Sequence, residues 1–308
     1  MSRVKKFVTP SLSVKPKVIH GPGPQEYLRN LRKRPRTVAD NVIVENDNST
    51  IWSGLVVSGT EAGTTSYSQV WGTWVIPWVT VPPGGADNFV SSLWVGLNDT
   101  NVTSLLQAGT EQDATLNTGF LGGLSTNYYA WVEWFPGPSL VVGQLSGEQP
   151  FPVGPGQVIS VNIESFVMGG GSPLNPAPIV FGIISMLNVS TGVAITPILL
   201  PAPTLNFNNQ QITAPPFPNQ QAVWIFERPS FDEDGQPVPG ALAEFGNAVM
   251  VSGGAVGSNV NEGKGSAVSV IVGENDGGQL LNMVAADGNT LCEASESPEL
   301  IFTYVGSD

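Results

Sequence analysis

One cysteine and one histidine in 308 residues remove whole classes of chemistry. Cys292 has no second thiol to pair with, so no intrachain disulfide staples the fold and no cysteine-rich zinc site exists. His20 is the only imidazole, and it lies in a segment that otherwise reads as a tail. A Ser-His-Asp or Cys-His mechanism would therefore depend on a residue outside the folded body. Long apolar runs are also missing. The longest, Ile179 to Val189, is about 11 residues, broken by Gly182 and Ser185, and too short to cross a bilayer.

Basic side chains are scarce everywhere except at the start. Residues 1–36 hold ten of them (Arg3, Lys5, Lys6, Lys15, Lys17, Arg29, Arg32, Lys33, Arg34 and Arg36) against Glu26 alone, a net charge of +9. The remaining residues carry 24 acids and two bases, Arg228 and Lys264, a net charge of −22. A body this acidic repels nucleic acid. The tethered basic segment is expected to lie against its own acidic body at neutral pH. Acid would release it by protonating carboxylates whose ordinary pKa is about 4. Arg3 to Lys6 are followed by Phe7-Val8-Thr9-Pro10 rather than a sustained apolar stretch, so the start is not a recognisable signal peptide. The division read from charge is a basic segment over 1–45 and one domain over 46–308.

What is abundant points to strands. The 36 Gly and 26 Pro, together about a fifth of the chain, disfavour a mainly helical protein. Short runs of Val, Ile, Trp, Tyr, Thr and Phe alternate with turn residues, predicting strands over Ile51–Ser58, Tyr67–Ile76, Phe89–Leu97, Tyr128–Phe135, Val158–Phe166, Ile179–Leu187, Ala222–Phe226, Ala248–Val251, Ala267–Val272 and Leu300–Tyr304. The expected fold class is all-β, an antiparallel sandwich or jelly roll. Six prolines between Pro197 and Pro218 make that stretch a loop or an edge excursion.

Period-two reading shows where polar groups interrupt the faces. Tyr129, Trp131 and Glu133 share one face of their strand; Glu227 shares a face with Val223 and Ile225, opposite Trp224, Phe226 and Arg228. In Ser104-Leu105-Leu106-Gln107-Ala108-Gly109 an amide follows a Leu pair and precedes two small residues.

Five segments taken in order resemble the glutamic peptidases, or eqolisins: Trp52-Ser53-Gly54, Leu93-Trp94-Val95-Gly96-Leu97, Leu105-Leu106-Gln107-Ala108-Gly109, Tyr129 to Pro136 with its A-W-x-E-W-x-P pattern, and Ala222 to Glu227. The resemblance implies two large curved antiparallel sheets of concanavalin-like type, a cleft on one concave face, and proteolysis in acid by a Gln and Glu pair. Matched motif to motif, the catalytic glutamine falls on Gln107 and the glutamate on Glu227. Trp94 and Glu133 match cleft residues, and Asn98 or Asp99 takes the place of the acid that follows W-V-G-I. The resemblance also implies secretion and a pro-segment, which a basic stretch over an acidic cleft suits. Fungal members carry disulfides and this chain cannot, so it reads as a divergent member.

The residue types fit that chemistry. A glutamate can take a proton from water during attack and return it to the leaving amine, and in acid it remains functional where an imidazole is permanently charged. A glutamine amide can donate to the developing oxyanion while its carbonyl orients the water. Trp94 and Trp131 are expected as aromatic walls for a polypeptide substrate. No cofactor or metal is called for, since Asp232-Glu233-Asp234-Gly235 and Glu274-Asn275-Asp276-Gly277 lack calcium-loop spacing and read as solvated turns. A monomer without nucleic-acid or membrane partners is expected. Two rival readings are a jelly-roll glycoside hydrolase using Glu133 and Glu227, and a non-catalytic lectin-like sandwich stacking sugars on tryptophan.

Overall fold

A computed structural model describes residues 48–59, 66–83, 88–99, 104–117, 123–143, 151–168, 179–202, 204–207, 210–213, 219–233, 236–259, 266–273, 278–296 and 298–306. The expected 1–45 segment, Asp234, Gly235 and the stretch from Glu274 to Gly277 lie outside these residues. Among the described residues every regular element is a strand. In chain order they are β1 (Asn48–Ser49), β2 (Trp52–Ser58), β3 (Ser66–Val75), β4 (Asn88–Asn98), β5 (Leu105–Leu116), β6 (Leu124–Phe135) and β7 (Leu140–Val141). Next come β8 (Val158–Met168), β9 (Ile179–Asn188), β10 (Val193–Ala194), β11 (Ile198–Pro201), β12 (Thr204–Phe207), β13 (Gln210–Thr213) and β14 (Gln221–Glu227). The last are β15 (Ser230–Glu233), β16 (Gln236–Pro239), β17 (Asn247–Asn259), β18 (Ser266–Ile271), β19 (Gln279–Val284), β20 (Thr290–Glu296) and β21 (Leu300–Tyr304).

The strands form an antiparallel β-sandwich. One layer runs β19-β2-β14-β4-β5-β6-β7. The other runs β11-β9-β8-β3-β17, and β17 continues sideways to β18 at one end and β21 at the other. Strand β19 belongs to both, pairing with β2 over Gln279–Leu281 and with β20 at Met283 and Val284. Pairing between these strands is antiparallel throughout, apart from the parallel match of β1 with β19.

Alternation drives the layers together. Leu93, Val95 and Leu97 of β4, Leu106 and Ala108 of β5, Val132 and Trp134 of β6, and Trp224 and Phe226 of β14 all point one way. They meet Val70 and Trp74 of β3, Val161 and Ile163 of β8, Ile184 of β9 and Met250 of β17 in one core. Each large side chain so buried stabilises the fold by about 1.5–3 kcal/mol before entropy is counted. The layers approach closely at Gly182, where an added Cβ would stand 2.5 Å from Leu106 Cδ2.

The ten predicted strands are all present, with edges shifted by at most four residues except in β17, which was expected over Ala248–Val251 and runs on to Asn259. Strand β5 is an addition to them, since Gln107, Glu111, Gln112 and Asp113 mask its alternation; both of its faces are buried over Leu105–Ala114, and one of them carries polar residues. The stretch from Pro197 to Pro218, expected as a loop or an edge excursion, contributes β11, which among the described residues pairs with β9 alone, and the separate hairpin of β12 and β13.

Candidate active site

The register of β14, β4, β5 and β6 arranges the face turned away from the other layer in rows. Gln221, Asn98, Leu105 and Phe135 form one row, and Val223, Gly96, Gln107 and Glu133 the next. Ile225, Trp94, Gly109 and Trp131 follow, then Glu227, Ser92, Glu111 and Tyr129, with Trp52 of β2 beside Glu227. A second apolar cluster, including Trp52, Val56, Trp94, Leu105, Trp131, Val223 and Ile225, supports this face and is distinct from the inter-layer core.

Gln107 is 4% exposed and donates from Nε2 to Glu133 Oε2 at 2.7 Å; Glu133 is itself 2% exposed. They are direct cross-strand partners. The bond sets which way the amide points, and it leaves Oε1 buried without a hydrogen-bond partner. One row pair further along, the Trp94 indole donates to Glu227 Oε2 at 2.7 Å, and the edge of Trp52 meets Trp94 at a centroid distance of 5.3 Å. The Trp131 indole donates to Ser92 Oγ at 3.0 Å, and that hydroxyl donates to the Thr110 carbonyl at 3.1 Å.

Asn98, rather than Asp99, shares the face of Gln107. Its Nδ2 donates to Gln221 Oε1 at 3.1 Å, and its Oδ1 is buried without a partner. Asp99 follows the end of β4, where its backbone N–H donates to the Ser104 carbonyl at 3.3 Å.

Of the residues singled out by sequence, then, the structure joins Gln107 to Glu133 and Trp94 to Glu227. Gln107 and Glu227 lie on one face, but no hydrogen bond between them is among those described. Four residues of β14 separate the row of Gln107 from that of Glu227, with β4 intervening. That offset is about 13 Å along the strands and about 10 Å across them. The two backbones are therefore about 16 Å apart, and the side chains do not meet: each is turned to another partner, Gln107 to Glu133 and Glu227 to Trp94. Trp94 and Trp131, expected as exposed walls, are 0% exposed. Their rings fill the face and their N–H groups are committed to protein acceptors.

Sequence reading missed Ser92, Glu111 and Asp113. Glu111 and Asp113 are 1% and 3% exposed and stand four and six residues beyond Gln107 on its own face. Recognising β5 as a strand would have placed them there. Asn127 Nδ2 donates to Asp113 Oδ2 at 3.3 Å. Four carboxylates thus share one face, whereas Arg228 is the only cationic side chain among the described residues; its Nε donates to the Thr50 carbonyl at 2.8 Å. No group of three His, Cys, Asp or Glu placed to hold a metal occurs among the described residues. Asn188 has a structural place in this fold. That side chain is fully buried, donates to the Pro152 carbonyl and Gln157, and accepts from the Thr191 N–H.

Comparison with curated proteins and with solved structures yields no match. Residues 50–171, about two fifths of the chain, do match the model of the Peptidase A4 family, a family of glutamic peptidases. The matched stretch contains Trp94, Gln107 and Glu133 and stops short of Glu227, and it supports a peptidase of the glutamic kind.

Proposed function

We infer that the protein is an endopeptidase that hydrolyses peptide bonds in acid, with Gln107 and Glu227 working from opposite sides of the scissile group. The observation that carries this reading is the clamp on Gln107. A buried amide is held in one orientation by Glu133 while its second N–H and its partnerless Oε1 remain available on a face bearing four carboxylates. To reach one peptide group and its attacking water from both sides, Gln107 and Glu227 must lean toward each other across the offset between their rows. The Glu227 carboxylate takes a proton as the water oxygen bonds to the carbonyl carbon, and Gln107 donates to the oxygen that becomes negative. Collapse breaks the C–N bond, and the proton held by Glu227 passes to the departing nitrogen. Glu133 acts as a positioning residue that keeps the amide turned correctly.

A second assignment has one specific observation behind it: Glu133, bonded to Gln107 at 2.7 Å, could be the general base itself. Three variants separate the two on a denatured protein substrate at acidic pH. With Glu227 as base, Gln107→Ala and Glu227→Gln each lose at least about 100-fold in kcat. Glu133→Gln, which keeps an oxygen to accept from Gln107, loses about tenfold. Near wild-type turnover by Glu227→Gln together with collapse of Glu133→Gln would transfer the role to Glu133.

The rival glycosidase pair, Glu133 with Glu227, is disfavoured. Strands β5 and β4 intervene, putting three spacings, about 14 Å, between their backbones in addition to the row offset. The same reading takes the 1–45 segment as an inhibitory pro-segment held by charge, the product as a secreted monomer and polypeptides as substrates. Deleting residues 1–45 should raise activity on first exposure to acid.

A further inference from the structure

Six tryptophans are buried: Trp52, Trp74, Trp94, Trp131, Trp134 and Trp224. Five place the indole N–H on a protein acceptor. Trp74 donates to Thr110 Oγ1, Trp94 to Glu227, Trp131 to Ser92, Trp134 to Ser104 Oγ and Trp224 to the Trp71 carbonyl, all between 2.7 and 3.0 Å. Trp52 is the exception. It is 3% exposed, and its Nε1 is buried with no acceptor. An unmade donor in such a place is costly, and a native fold that keeps one while satisfying five of the same kind calls for an acceptor from outside the chain.

The position says which acceptor. Trp52 is the direct cross-strand neighbour of Glu227, on the side away from β4 and Gln107, and its ring edge is fixed against Trp94. Glu227 is the half-buried member of a row otherwise closed from Trp52 to Glu111, so access at this level runs past its carboxylate. A chain that presents its scissile group between Gln107 and Glu227 and continues across the strands brings its next peptide group to β2. Indole offers a donor and no acceptor, so it can take a carbonyl oxygen and cannot take an N–H.

We propose that the Trp52 indole N–H is a specificity-determining donor that binds the main-chain carbonyl oxygen of a substrate residue adjacent to the scissile bond, giving preference for extended polypeptide over short peptides. This rests on the peptidase reading above. The bond forms alike in the ground state and the transition state, so it acts on KM.

The test is Trp52→Phe in the full chain, which keeps a ring against Trp94, deletes the donor and gives up part of the ring volume. With a blocked peptide series lengthened one residue at a time from either end, wild type should gain about tenfold in kcat/KM at one particular added residue. Trp52→Phe should lose that gain through KM, with kcat within about twofold, and should treat the shorter substrates as wild type does. Its thermal midpoint should fall less than that of Trp94→Phe, which gives up the same ring volume and breaks a made bond as well. Unchanged length dependence in Trp52→Phe, or a uniform loss on all lengths, would overturn the proposal. Binding can be read without turnover from the indole ¹⁵N–¹H resonance of Trp52, in Gln107→Ala titrated with the longest peptide of the series. A downfield proton shift supports the assignment, and a resonance unmoved at saturation, judged by other shifting peaks, overturns it. If wild type cleaves nothing yet this resonance moves, the peptidase reading fails and the carbonyl site stands.

Discussion

On strand β5, Leu106, Ala108 and Thr110 face the second layer while Leu105, Gln107, Glu111 and Asp113 face the opposite way, and every one of these side chains is 4% exposed or less. Depth of burial does not tell the two faces apart. On β5 the inward side chains are apolar apart from Thr110 and Gln112, and these two are matched: Thr110 Oγ1 accepts from both Trp74 and Gln112. The other face buries carboxylates and amides and leaves Gln107 Oε1, Asn98 Oδ1 and Trp52 Nε1 without partners. Each such atom costs about 1–3 kcal/mol. A face kept only for stability gains nothing from such atoms, and the difference is what the proposed site on the outer face of the sheet rests on.

Substitutions can break that contrast. The largest effects should come from exchanging one residue on each face. Gln107→Ala should cut turnover by about 10²–10³-fold while still folding, and Leu106→Ala should cost about 2–5 kcal/mol in denaturant unfolding while leaving turnover per folded molecule intact. If Leu106→Ala lowered kcat as much as Gln107→Ala, the two faces would not be functionally distinct. Glycines give a middle tier. A methyl on Gly109 would stand 2.4 Å from Trp94 Cβ and 2.5 Å from the Leu93 carbonyl oxygen, both on the neighbouring strand. Gly109→Ala should cost about 1–3 kcal/mol and, by displacing Trp94 from Glu227, reduce turnover as well. Gly182→Ala meets only the end of the Leu106 side chain and should cost less, with turnover unaffected.

The smallest effect concerns the core alone. Burial pushes the Cys292 thiol up to about 12. It should resist iodoacetamide in the native protein at pH 8 and react after unfolding in urea, as mass spectrometry would detect. The sign follows from the raised value. Keeping the thiol neutral adds no penalty below the ordinary pKa of 9.0, and stability is lost only as pH rises from there towards 12. Rapid labelling of folded protein at pH 8 would mean that this part of the core opens readily.

Much of the fold was legible beforehand because a half-buried strand announces itself by alternation, and Tyr128 to Phe135 or Ala222 to Phe226 do so plainly. Strand β5 did not, since a strand covered on both sides and charged on one carries no such contrast. For the site, alternation correctly assigned Glu133 to the face of Tyr129 and Trp131, and Glu227 to that of Val223 and Ile225. It could not say that Gln107 would be bonded to Glu133, because nothing local in either segment encodes a cross-strand partner.

Taken alone, the chain's order of residues determined the all-β class, the acidic body, the scarcity of cysteine and histidine and the side of each strand on which a polar group stands. All of these are properties of composition or of a two-residue period. Which polar groups meet was decided only in three dimensions. Gln107 and Glu133 lie 26 residues apart in the chain, and Trp94 and Glu227 lie 133 apart. Their meeting depends on the register between whole strands, set by how the apolar rows of the two layers interlock, and a slip of one residue would turn each of these side chains to the opposite face.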